Sequence, residues 1–173
     1  CDIENEISIN PAIEKCSVVS VQDKIDNHAP KAHVLLKEEY KGHEDEIFKQ
    51  IIASYDESNM NSFQAYHCPV AIKFRDDFPL TKVRKINKQA LQIEDIVSSY
   101  DAVSDCNICL LESGEYQLNI TLNNGYDQNI KYDLEKYLIK VMNVEGIKPQ
   151  QFTYVFNEDN KNCKTFVNKN MVK

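Results

Sequence analysis

The spacing of apolar residues changes along the chain, and each change marks an element. An amphipathic stretch starting near Ile3 ends before Pro11, because proline disfavours helical backbone in the residue ahead of it. A β-branched run at 17–21 and a second apolar run at 32–36 predict strands. Ile47, Phe48, Ile51, Ile52 and Tyr55 then fall on one stripe at helical spacing. An extended run at 70–74, entered through Pro69, closes this set of elements. The second half repeats the order. A helix is predicted near 93–100, strands near 106–111 and 116–122, and a helix carrying Ile130, Leu134, Leu138, Val141 and Met142. Pro149 leads into a final extended run at 152–156.

The two halves also match residue by residue. Ile3, Glu4, Asn5, Ile7 and Ser8 recur as Ile93, Glu94, Asp95, Val97 and Ser98, at an offset of 90 with no gap. Ala12, Ile13, Cys16 and Val18 recur as Ala102, Val103, Cys106 and Ile108 at the same offset. Self-similarity of this kind is the mark of repeated structural units. The pattern predicts an α+β protein of two tandem small α/β sandwich units. Each unit is α-β-β-α-β, with a mixed or antiparallel sheet and helices on one face. The expected domains are residues 1–92 and 93–173. The join between them, from Ile86 to Ser99, has no Pro or Gly and reads as a rigid helical connection rather than a flexible linker.

Composition narrows the function classes. The formal net charge is -7. Residues 1–92 hold 12 basic and 15 acidic side chains, and 93–173 hold 8 and 12, so neither half is basic. A sequence-independent nucleic-acid binder needs a dominant basic face, so no nucleic-acid partner is expected. No apolar run approaches the ~18–20 residues that span a bilayer, and no basic-then-apolar signal segment is present; the reading is a cytoplasmic protein without a membrane partner. The six cysteines are irregularly spaced and read as buried free thiols. Cys106 and Cys109 form a CxxC, but a strand would set their sulfurs on opposite faces, which argues against zinc. His28, His33, His43 and His67 lack ligand spacing, so no metal site is expected.

Chemistry concentrates between Asp77 and Leu91. Pro79 starts a turn, and Lys82, Arg84, Lys85 and Lys88 gather positive charge in an acidic protein. A lysine on such a loop can act as a point charge toward phosphate or carboxylate. On the residues alone, a solvated basic loop is the simpler account. The stretch resembles the closing motif of the adenylate-forming (AMP-dependent synthetase/ligase, ANL) superfamily, Pro-Leu-Thr-x-x-Gly-Lys-Ile/Val-Asp/Asn-Arg-x-x-Leu. Pro79, Leu80, Thr81, Lys85, Ile86, Asn87 and Leu91 match, Lys88 stands for the arginine, and Arg84 occupies the glycine position. Glycine there allows backbone angles that other residues resist. Further matches follow in family order: Asp2, Ile3, Glu4 and Asn5; Asn10 to Ile13; the run from Val18 to Asp23; the run from Pro30 to Leu35; and the run from Pro69 to Phe74. The resemblance covers about residues 2–92 and reaches the remainder only through the repeat.

That resemblance implies the C-terminal portion of an AMP-forming acyl or amino-acid ligase, with Lys85 as the catalytic residue. Thr81 and Lys85 would form the nucleotide-binding loop, Thr81 positioning it. ATP, with Mg, would be bound mainly by a large N-terminal adenylation domain absent from the sequence. Coenzyme A or a carrier-protein thiol would accept the acyl group. A start at Cys1, inside a family motif, reads as an excised domain, inactive alone. In the second half, the residues matching the lysine loop run from Asp159 to Lys169, with Phe166 opposite Lys85 and no Pro-Leu-Thr. This half reads as a degenerate, non-catalytic copy. The competing reading is a non-catalytic tandem α/β binding or regulatory module, which has no need of the lysine loop.

Overall fold

The computed structural model describes residues 2–21, 28–55, 67–123, 128–144, 152–157 and 164–168. Cys1, Gln22, Asp23, Pro149, the 158–163 stretch and Lys169, which enter the sequence reading, lie outside them, as do the side chains of Val141 and Met142. The elements in chain order are α1 (Asp2–Ser8), β1 (Ile13–Val21), β2 (Ala29–Leu36), α2 (Glu44–Ala53) and β3 (Ala71–Phe74), then α3 (Lys88–Ser98), β4 (Val103–Leu110), β5 (Tyr116–Leu122), α4 (Gln128–Val144), β6 (Phe152–Asn157) and β7 (Lys164–Val167). The fold class is α+β, and each helix and strand read from the apolar pattern is present.

Two compact units result: Cys1–Phe78 with Asn162–Lys173, and Pro79–Lys161. In the first, β1 pairs antiparallel with β2, and β2 pairs parallel with β3. Alternation along the strands sends Cys16 and Val18, Ala32, Val34 and Leu36, and Ile72 and Phe74 to one face. There they pack against Ile7 of α1 and Ile47 and Ile51 of α2. The intervening positions include the buried Ser17, His33 and Lys73 beside the buried Val19 and Ala71, so the second face of this sheet mixes polar and apolar groups.

The second unit has the same plan. β4 pairs antiparallel with β5, and β5 pairs parallel with β6. Its core joins Ala90, Ile93 and Val97 of α3 to Val103, Cys106, Ile108, Leu118 and Ile120, and to Leu134 and Leu138 of α4. Because α3 buries its apolar face here, the contact boundary falls at Phe78, ahead of the boundary at residue 92 that the sequence suggests. Its helix starts at Lys88, where Asn87 accepts a hydrogen bond from the Ala90 amide at 3.1 Å through its side-chain oxygen.

The offset of 90 reappears in detail. The β1–β2 ladder shifts register between Ile13 and Lys15, and the β4–β5 ladder between Val103 and Asp105. Glu4 accepts the Val18 amide at 2.8 Å, and Glu94 accepts the Ile108 amide at 2.7 Å. Lys37 donates its amide to Ala12 at 2.9 Å, and Asn123 does the same to Ala102 at 2.9 Å. The end of the chain departs from this symmetry. Lys164–Val167 is a strand that pairs antiparallel with β3, giving the first sheet the order β1-β2-β3-β7.

Candidate functional site: the lysine hairpin

Beyond β3 the chain is held by Arg75. Its amide donates to Val34 at 2.9 Å, its Nε donates to the Asp77 carbonyl, and its guanidinium lies 5.1 Å from the Phe78 ring centre. Pro79 to Asn87 then folds into a small hairpin. Leu80 and Ile86 form an antiparallel bridge, and the Asn87 amide donates to the Pro79 carbonyl at 2.8 Å. At the tip, the Thr81 amide donates to the Lys85 carbonyl at 2.7 Å and the Arg84 amide to the Thr81 carbonyl at 2.9 Å.

Arg84 closes this tip with φ 60°, the left-handed region. A three-residue hairpin loop ending in a left-handed residue is a standard solution for a tight reversal. The molecule contains a second example. Between β4 and β5 the Leu111 amide donates to Glu115 at 2.8 Å and the Gly114 amide to Leu111 at 2.9 Å, with Gly114 at φ 86°. Glycine fills the left-handed position in one hairpin and arginine in the other. Arg84 therefore takes up the backbone that glycine would adopt freely, and carries the associated strain.

The structure brings Thr81 and Lys85 together. Thr81 Oγ1 accepts the Lys85 amide at 3.2 Å, so both backbone polar groups of Lys85 are bonded to Thr81. Its side chain is exposed, as are those of Lys82, Val83, Arg84 and Lys88. No ion pair joins Lys85 to another described residue. The result is a fixed backbone carrying a free ammonium, which suits a cation delivered to an anionic site. Asn87, which begins α3, also donates through Nδ2 to the Tyr116 hydroxyl, tying the base of the hairpin to β5. The Asn-x-x-Ala spacing is a capping signal that could have flagged this role from sequence.

Other candidates take up structural positions. His33 is buried on β2, with Nδ1 3.2 Å from Arg75 Nη1, and His67 Nδ1 lies 3.4 Å from Glu6 Oε1. Cys106 is in the second core, whereas Cys109 Sγ lies 3.8 Å from the Gln117 carbonyl. Among the described residues no group of three or more His, Cys, Asp or Glu side chains is placed to hold a metal ion. No helix among them is long and apolar enough to cross a membrane.

A small α+β unit leading into an anchored lysine hairpin is the class of structure these observations define. Residues 2–85 match the AMP-binding enzyme C-terminal domain family. The human mitochondrial acyl-coenzyme A synthetase ACSM3 is 29% identical over 91 residues, covering 53% of this chain and 15% of that protein. The Pongo abelii protein of the same name gives the same values. The chain thus spans about 15% of the length of these curated relatives. Among solved structures, Brucella canis acyl-CoA synthetase is 23% identical with a TM-score of 0.49, covering 57% of this chain and 17% of that one. The anthranilate CoA ligase AuaEII in complex with anthranoyl-AMP is 26% identical with a TM-score of 0.46, covering 54% and 17%.

Proposed function

We propose that this chain is the C-terminal portion of an AMP-forming acyl or amino-acid ligase, and that it delivers Lys85 to a reaction centre on a large N-terminal adenylation domain. The observation carrying this reading is the hairpin at the end of the family-matched segment, whose backbone is bonded at Thr81 while the Lys85 ammonium is exposed. In adenylation a substrate carboxylate oxygen attacks the α-phosphorus of ATP. The bond to the bridging oxygen breaks, and pyrophosphate leaves with the electron pair. Negative charge is brought together in that step, and Lys85 stabilises it as a cation that keeps its proton. Thr81 sets the backbone position from which the ammonium reaches. Mg would neutralise phosphate charge, and it and ATP would be held mainly by the N-terminal domain. In a second step, the thiol of coenzyme A or a carrier protein attacks the acyl carbonyl and AMP departs. Acyl-CoA synthesis is the activity named for the relatives, and it favours the coenzyme A route.

Residues 93–173 we read as a degenerate second copy of the same fold. The paired register shifts, the two glutamate-to-amide hydrogen bonds at an offset of 90 and the shared strand order support this. Arginine and lysine are absent at Phe166, the position opposite Lys85, so this copy is non-catalytic.

The test is ATP–pyrophosphate exchange by the full-length protein carrying Lys85→Ala. A fall of roughly 10²-fold or more is expected, the scale of losing one preorganised charge-stabilising group, with circular dichroism unchanged. Exchange at the unaltered rate would overturn the assignment and leave a binding or regulatory role.

A further inference from the structure

Among the described residues, Arg84 is the one non-glycine residue with a positive φ. It fills the last loop position at the tip of the hairpin, where a left-handed backbone returns the chain to Lys85. Glycine adopts that backbone freely, and asparagine more readily than most, whereas arginine is strained there. The β4–β5 reversal makes the same turn with Gly114. The turn by itself therefore gives no reason for an arginine.

Charge adds a second cost at the same place. From Pro79 to Lys88 the chain carries Lys82, Arg84, Lys85 and Lys88 and no acidic side chain. All four are exposed. No described residue forms an ion pair with Lys82, Arg84 or Lys85. Cations gathered on one short hairpin repel one another and attract anions. Backbone strain tends to collect at functional sites, and here it coincides with unbalanced positive charge. A ligand with several negative charges offsets both.

We propose that Arg84 is a phosphate-binding residue that engages the β- and γ-phosphates of ATP, and the pyrophosphate they become, beside Lys85. This assignment rests on the function proposed above. A carboxylate substrate brings one negative charge to the reaction, whereas the phosphate chain brings several, so a tip with more than one cation fits the chain. The two cations also differ in kind. Lys85 acts as a point charge, while the planar guanidinium of Arg84 presents a fork of donors that matches two phosphate oxygens at once. Its amide is bonded to the Thr81 carbonyl at 2.9 Å, and Lys85 is bonded to Thr81 through its amide and its carbonyl. Both side chains thus leave one fixed backbone, the arrangement in which donors stabilise developing charge best.

The experiment measures ATP–pyrophosphate exchange by the full-length protein and its Arg84→Asn, Arg84→Gly and Arg84→Lys variants. Asparagine tolerates the left-handed backbone and removes the charge; lysine keeps the charge and loses the fork. The KM for pyrophosphate and for ATP should rise about tenfold with asparagine or glycine and about threefold with lysine, the scale of losing charge-assisted hydrogen bonds. The kcat and the KM for the carboxylic acid should stay within about twofold. Weaker use of pyrophosphate by a glycine variant that resists urea at least as well as the parent separates lost binding from lost folding. An unchanged KM for pyrophosphate in Arg84→Asn would overturn the proposal, as would a rise confined to the KM for coenzyme A in thioester formation. If Lys85→Ala abolishes exchange while Arg84→Asn leaves every constant unaltered, the inference falls and the ligase reading stands. If Arg84→Asn raises the KM for pyrophosphate while Lys85→Ala has no effect, the role of Lys85 falls and the phosphate contact stands.

Discussion

Arg84 shows how a single backbone angle can be read as chemistry. Its φ of 60° puts a β-carbon where the left-handed turn is costly, and Gly114 solves the same geometry without one. Arg84→Gly should therefore stabilise the protein by about 1 kcal/mol, since relief of the left-handed strain outweighs glycine's added freedom in the unfolded chain. Urea denaturation of the two proteins checks this, and a less stable glycine variant would mean that the arginine side chain makes an unrecognised contribution. Lys85 is different in kind. Its backbone is bonded on both sides while its side chain is not, so its substitution should leave the fold intact and act on the reaction alone.

At the scale of elements, short helices here are held by polar ties as much as by apolar stripes. α1 is seven residues long, too short to be stable alone. Ile7 packs into the core, Glu4 bonds the β1 backbone, and Glu6 accepts the Tyr55 hydroxyl at 3.0 Å just beyond α2. Burial, followed by that hydrogen bond to Glu6, pushes the Tyr55 phenol above its ordinary value of 10.0. A raised folded-state value means that stability is full below the unfolded value and is lost as pH climbs past it. The native protein should therefore lose stability above about pH 10, and Tyr55→Phe should flatten that loss. The same substitution should lower stability at neutral pH by about 1 kcal/mol through the lost hydrogen bond. Thermal denaturation across pH 7 to 11 measures both, and identical alkaline slopes in the two proteins would refute the linkage.

The whole molecule combines two units of one plan with a final strand that belongs to the first. In the reaction as proposed, ATP is held mainly by an N-terminal adenylation domain. The 173-residue chain alone should show no ATP–pyrophosphate exchange with any carboxylic acid, while recovering it when joined to its N-terminal adenylation domain. Exchange by the isolated chain would place the nucleotide site here and reverse the division of labour. Much of this architecture is legible in the sequence because side-chain periodicity reports local structure: the apolar stripes gave each helix and strand except β7. The motif from Pro79 to Leu91 likewise revealed the lysine loop, since a tight turn and a cation depend on adjacent residues. Pairing between distant segments leaves no such signature. Lys164–Val167 reads locally as the remnant of a loop, and only the open edge of β3 and the space between Phe48 and Phe74 make it a strand. The unit boundary was hidden for the same reason, because α3 is apolar in a way that suits either neighbour and only packing against Val103 and Cys106 assigns it. The sequence by itself determined the elements up to β6 and the lysine loop; the tertiary structure decided which unit each segment completes, because burial and edge pairing are properties of the folded chain.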